Sequence, residues 1–310
     1  MPATSPTTRY RFSGHQTFAF RYGWLEKGVN AVAKDPDVFS AEDAIVTLGV
    51  GKNMVESIKH WCLLAQLVEP AEASRTSGGS GFQPTCIGRR LLLSSPWDAF
   101  LEDDASLWLV HWLMVTNPTI TTTWQLAFGH FNRPDFSKLE LVDFVKGCAE
   151  KHTLRIKETS LLRDVDCFFR TYLPMRNSAR VEVAEETFDC PLQDLGLVQA
   201  SPGGEFYRFA IGAKPSLPPE IFAYALEEYL SRAKTGRNTL SIQECLYGAE
   251  SPGQVFRLDE NSVVEYVETL EQLTGGSIAL DETAGLKQIY RRRKLDPEPL
   301  LNRYYRRQNS

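Results

Sequence analysis

Between Ser40 and Leu93 the apolar positions fall first at helical spacing and then into short runs broken by glycine. Ser40 is a good N-cap for a helix running through Thr47, with Glu42 and Asp43 in the first turn, where the helix dipole favours them. Leu48-Gly-Val-Gly51 supplies a tight turn, and Lys52 to Leu67 is predicted as a second helix. Val55, Ile58, Cys62 and Ala65 form its inner stripe, while Asn53, Glu56 and His60 lie opposite, flanked by Lys52 and Lys59. Leu67 to Pro70 then leads into the glycine-rich tip Arg75 to Gly81, and Phe82 to Leu93 returns as a strand or short helix. This is the order of a winged helix-turn-helix.

Pro96 marks a boundary. Beyond it Ala105 to Val115 is apolar on every face, and Trp124 to Phe131, Leu139 to His152 and Glu158 to Tyr172 continue as predicted helices of a buried centre. Thr171 to Met175 ends that bundle, and Arg176 to Thr187 is a polar connection. Cys190 to Val198 and Phe206 to Ile211 are predicted as a hairpin. Helices then follow at Pro218 to Ala233, Leu240 to Leu246 and Asn261 to Leu273, with a closing hairpin of Ser277 to Asp281 and Leu286 to Tyr290. The expected fold is mainly α with small β-hairpins: winged helix-turn-helix domains flanking a helical centre. The expected domains are 1–95, 96–180 and 181–310, the last ending in a basic tail.

Length and composition fit a folded, multi-module chain: 310 residues, 43% of them hydrophobic. No run of about 18 apolar residues is present, and Met1 to Arg11 is polar and threonine-rich, which predicts a disordered arm on a cytoplasmic protein with no membrane contact. The six cysteines form no CxxC pair, so buried, reduced thiols are expected and no zinc site. The net charge of −5 hides an uneven distribution: eight Lys/Arg from Lys287 to Ser310 face only Asp296 and Glu298.

That distribution directs attention to local basic groups. Lys52 and Lys59 can meet phosphates, and Asn53 carries the donor and acceptor pair that reads adenine in the major groove. A solvated helix face used for protein contact accounts for the same residues. Arg75 would extend the contact from the wing. In the C-terminal module the helix face is acidic (Glu260, Glu265, Glu268, Glu271), so the expected phosphate contacts are Lys287 and Arg291, Arg292, Arg293 and Lys294, with Arg303 to Arg307 behind them. Gly49-Val-Gly51-Lys52-Asn53 lacks the first glycine and the Ser/Thr of a Walker A loop, so nucleotide hydrolysis is not expected.

The densest local signature is Phe12-Ser-Gly-His-Gln-Thr-Phe18 followed by Arg21-Tyr-Gly-Trp-Leu-Glu-Lys-Gly28. His15 has no nucleophile or carboxylate nearby in sequence, so a buried, backbone-bonded imidazole is expected. His111, His130 and His152 lack HxxxH or HExxH spacing. No catalytic motif is found, and neither a cofactor nor a metal is implied.

The same signature, with Thr171-Tyr-Leu-Pro174 and Cys190-Pro-Leu192, closely resembles the bacterial DUF4007 family of unknown function over almost the whole chain. Members are typically encoded beside a phosphoadenosine-phosphosulfate-reductase-like (PAPS-reductase-like) sulfurtransferase in clusters for DNA phosphorothioation and in BREX-like phage defence. The resemblance implies partners of that kind: double-stranded DNA and the sulfurtransferase or other defence proteins. It implies no catalytic residue. Three roles follow as expectations: a DNA-binding accessory protein, an adaptor that binds the sulfurtransferase without DNA, or a persulfide acceptor through a cysteine such as Cys167 or Cys190.

Overall fold

The computed structural model describes residues 9–71, 81–93, 96–152, 154–174, 190–232, 237–283 and 286–308. They form two compact units, one of residues 1–127 and 131–208, the other of 128–130 and 209–310. No helix is long and apolar enough to cross a membrane among the described residues.

The first unit opens with β1 (Arg9–Tyr10), followed by α1 (Trp24–Lys34), a 3-10 turn at Val38–Ser40, α2 (Ala44–Leu48) and α3 (Lys52–Leu64). Strands β2 (Val68–Pro70) and β3 (Phe82–Pro84) then pair antiparallel with Val68 opposite Pro84, and α4 (Cys86–Leu92) follows. Gly49 at φ 62° ends α2 in the left-handed region, where only glycine is unstrained, and this sets up the turn into α3. Gly28 serves a different need. A Cβ there would lie 2.5 Å from Cys62 Sγ and 2.8 Å from Ile58 Cγ2, so its absence lets α1 lie directly on α3.

The centre of this unit is α5 (Asp104–Val115), in which every residue from Ala105 to Val115 is buried. All-round hydrophobicity in the sequence reflects this position. The remaining elements are β4 (Ile120–Thr121), α6 (Thr123–Gly129), β5 (Asp135–Ser137), α7 (Lys138–Lys151) and α8 (Glu158–Tyr172). After a 3-10 turn at Pro191–Leu195 come β6 (Val198–Ala200) and β7 (Phe206–Phe209), which with β5 make a sheet of order β5-β7-β6. Residues 191–208, expected to open the C-terminal domain, therefore group with the first unit. Arg9 and Tyr10, expected within a disordered arm, instead pair in parallel with Ile120 and Thr121.

The second unit runs α9 (Pro219–Arg232), β8 (Thr239–Ser241), α10 (Ile242–Tyr247), α11 (Pro252–Phe256), α12 (Glu260–Leu273), β9 (Ile278–Thr283), β10 (Leu286–Arg291) and α13 (Glu298–Gln308). The sheet order is β8-β10-β9, with Ile289 registered against both Leu240 and Leu280. The expected basic tail is a helix. Leu300, Leu301 and Tyr305 are buried along one side of α13, which leaves Arg303 and Arg306 on the outside.

Gly88 on α4 tests how closely that helix approaches the end of α3. A Cβ there would meet Leu67 O at 2.1 Å, so Gly88→Ala is expected to destabilise the protein by about 2 kcal/mol. A lower midpoint in urea unfolding would report it; an unchanged midpoint would contradict the close approach.

Candidate nucleic-acid interface

The signature turn is built around a buried histidine–carboxylate hydrogen bond. His15 Nε2 lies 2.7 Å from Asp164 Oδ1 of α8, 149 residues away in sequence, and both side chains are fully enclosed. Asp164 also accepts Ser13 N–H at 2.6 Å and the Thr123 hydroxyl at 2.5 Å. The Thr17 N–H donates to His15 Nδ1 at 3.0 Å, so that nitrogen is an acceptor and the proton sits on Nε2, facing the carboxylate. Ser57 of α3 donates to His15 O, and Trp61 Nε1 donates to Phe18 O at 3.1 Å. Asp164 of α8, itself bonded from α6, and two side chains of α3 thereby hold one short loop.

The loop pays for this grip in backbone strain. Ser13, Gln16 and Thr17 all have left-handed φ (60°, 49° and 69°), and none is glycine. Gly14 is required for another reason: a Cβ there would lie 2.5 Å from His60 Nδ1. His60, expected on the outer face of α3, is in fact 1% exposed because this turn covers it. Neither of its ring nitrogens has a hydrogen-bond partner, and burial, then Arg11, then His15 hold its basicity well below the usual imidazole range.

On α3 itself Lys52 and Asn53 are exposed at the first turn, and the N-cap Gly51 offers no side-chain cap. Met54 and Val55 donate to Gly51 O, which leaves the N–H groups of Lys52 and Asn53 for an anion. Lys59 is half-buried with its ammonium 5.1 Å from the Phe82 ring centroid, and Glu56 shares the stripe between the two lysines. Arg75 lies outside the described residues. The preceding helix α2 exposes Ile45 (46%) and Val46 (82%), beside the exposed Glu42 and Asp43.

In the second unit the basic run divides. Arg291 is 8% exposed and is bonded to Glu227 Oε1 at 2.9 Å, to Arg237 O at 2.9 Å and to Asn238. This corrects its expected role: β10 turns its side chain inward to neutralise a buried carboxylate, which removes it from the phosphate-contact set. Arg292, Arg293 and Lys294 are exposed in the turn after β10, and Lys287 is exposed although it shares the face of the buried Ile289 and Arg291. A shallow concavity on α13 is lined by Arg303, Arg306 and Arg307, with Pro299 and Asn302, and Arg307 also pairs with Glu220. Glu260, Glu265 and Glu268 of α12 are exposed, as expected of its acidic face.

The cysteines proposed as sulfur acceptors are poorly placed. Cys167 and Cys190 are buried, and burial, then Asp164, pushes the Cys167 thiol well up, against the thiolate that sulfur chemistry needs. Among the described residues no three His, Cys, Asp or Glu side chains converge to hold a metal.

These features place the chain in a family. It belongs to DUF4007, a family of proteins of unknown function, which matches residues 12–305, starting where the signature turn starts. Among solved structures, a crystal structure of SspB superposes with a TM-score of 0.83 at 28% identity, covering 98% of this chain and 89% of that one. A magnesium ion-bound crystal structure of SspB gives a TM-score of 0.82 at 29% identity, covering 96% and 88%. No curated protein matches the chain.

Two outcomes follow from the buried network. Asp164→Asn places an amide NH2 against converging donors and is expected to cost about 3 kcal/mol in urea unfolding; a loss below about 0.5 kcal/mol would mean the network does not hold the fold. His60 gives the second. Below about pH 6.5 the unfolded chain protonates this residue and the folded chain does not. Its contribution to stability is therefore complete above that pH and declines as pH falls, by about 1.4 kcal/mol per unit. His60→Phe is expected to remove that slope while leaving stability at pH 7.5 within about 1 kcal/mol. An identical pH profile in the variant would refute the assignment.

Proposed function

We propose that this chain is a DNA-binding accessory protein of a bacterial DNA-modification system, of the phosphorothioation or BREX-like phage-defence type. Its role is to position a sulfurtransferase or defence complex on duplex DNA in the cytoplasm. The observation that carries this reading is the start of α3: an uncapped helix N-terminus bearing exposed Lys52 and Asn53, directly after a glycine turn. In this reading α2, α3, β2 and β3 act as a winged helix-turn-helix, with Lys59 as a further contact; Arg75, which lies outside the described residues, is another candidate. The second unit, with α9, α10 and α12 and its β8-β10-β9 sheet, acts as another, contributing Lys287, Arg292, Arg293 and Lys294. Membership of DUF4007 and similarity to SspB support the setting. The role requires no catalytic residue of this chain, and no step runs through magnesium, for which the described residues offer no converging donor set.

A second reading has its own observation. Exposed Ile45 and Val46 beside Glu42 and Asp43 suit a protein surface better than a phosphate backbone, which favours an adaptor that binds the sulfurtransferase without DNA.

Duplex binding measured across a salt series tests the first reading. Wild type is expected to weaken steeply with salt, and Lys52→Ala to flatten the log–log slope by about 0.9, with the Lys52→Ala/Lys59→Ala double variant flattening it by up to about 1.8. Absent or salt-insensitive wild-type binding would overturn it. Co-purification of the sulfurtransferase that survives nuclease and is lost in Val46→Asp would establish the adaptor instead.

A further inference from the structure

We infer that the Ser13–Phe18 turn, with Arg21 and Arg170 beside it, is a second phosphodiester-contact surface on the first unit, in addition to the start of α3. The inference rests on the reading that this chain binds DNA, and it names residues that reading does not use.

The first observation is what the strain achieves. Left-handed φ at Gln16 and Thr17 turns both residues outward, where they are exposed, while His15 before them stays buried on Asp164. A β-branched threonine in that region is unfavourable, and it persists here because His15 Nδ1, Asp164, Ser57 and Arg170 fix the loop from several sides. Stability alone would be served better by glycine. Strain of this kind concentrates where a backbone has to present something.

What the loop presents is the second observation. Several arginines of this fold are engaged by carboxylates, Arg133 with Glu140, Arg208 with Asp135, Arg237 with Glu244 and Arg291 with Glu227, while Arg257 is buried against the Phe209 ring. Arg21 meets no carboxylate among the described residues. Its guanidinium lies 5.7 Å from the Phe18 ring centroid and 5.4 Å from that of Trp24, so the rings hold it while its N–H donors are left for an anion. Arg170 donates to Thr17 O, which sets a second guanidinium at the same turn.

The surroundings select the partner. Tyr22 is 51% exposed, and its hydroxyl donates to Asp194, while the neighbouring Gln193 amide donates to Arg170 O. An open aromatic face, the exposed amide of Gln16 and two guanidiniums match the base or sugar and the phosphate of a nucleic-acid strand. Asp194 makes the patch mixed in sign, which limits it to few phosphodiester contacts, on the side of Arg21 and Arg170.

Full-length wild type, Arg21→Gln, Arg21→Lys and Arg170→Gln, each checked for an unchanged thermal midpoint, would be titrated with labelled duplex DNA across a salt series, Lys52→Ala in parallel. Arg21→Gln is expected to weaken binding about five- to tenfold at low salt and to flatten the slope by about 0.9, adding to the effect of Lys52→Ala. Arg21→Lys keeps the slope, because the charge remains, but loses affinity with the fork. If Arg170→Gln fails to fold, the Arg21 pair carries the test alone. Wild-type binding that Lys52→Ala weakens and Arg21→Gln leaves untouched overturns this surface only. No wild-type binding overturns it together with the DNA-binding reading. Loss of a co-purifying protein in Arg21→Gln with DNA affinity unchanged also overturns it, in favour of a protein contact.

Discussion

The first unit depends on one buried pair, His15 with Asp164. A carboxylate taken out of water is tolerable only when its oxygens are fully engaged, and Asp164 meets that demand with donors from the imidazole, from Ser13 and from Thr123. Those donors come from the N-terminal turn and the start of α6, and Asp164 itself from α8. The same turn is tied to α3 through Ser57 and Trp61. Removing any one of these leaves the others facing an unpaired group in a dry interior, which is why the turn can sustain three left-handed residues that are not glycine.

Much of the fold was legible in the hydrophobic pattern. The helix pair joined by Gly49 and Gly51, the fully apolar α5, the amphipathic α9 and the C-terminal hairpin all follow from periodicity, caps and turn residues, which act locally. The misread positions share a different cause. His60 falls on the polar side of α3 by spacing, and only a loop more than forty residues upstream makes that side internal. Arg291 belongs to a basic run in sequence, yet strand alternation turns it toward Glu227. Asp164 carried no signal at all, because a lone acid on an amphipathic helix looks solvated until its partner 149 residues away is known. The helix at 298–308 could have been read from Leu300, Leu301 and Tyr305, which share one side.

Separating arginines that neutralise a carboxylate from those that do not changes where phosphate contacts are sought. Composition directs attention to the C-terminal run, but one member of that run is internal. Arg21 stands on aromatic rings near the start of the residues that match the family. The signature therefore has two physical layers: His15, Gly14 and Gly28 satisfy packing, while Gln16, Thr17 and Tyr22 are exposed and Arg21 is half-buried on its aromatic rings. A sequence built only for stability has no need of the second layer.

The most direct test of the central claim is the protonation state of His15, read from its imidazole nitrogen chemical shifts in labelled full-length protein near neutral pH. The hydrogen bonds of this turn require a proton on Nε2, shifted downfield by Asp164, and an Nδ1 that accepts the Thr17 N–H. A proton on Nδ1, or a ring with solvent-averaged shifts, would contradict them.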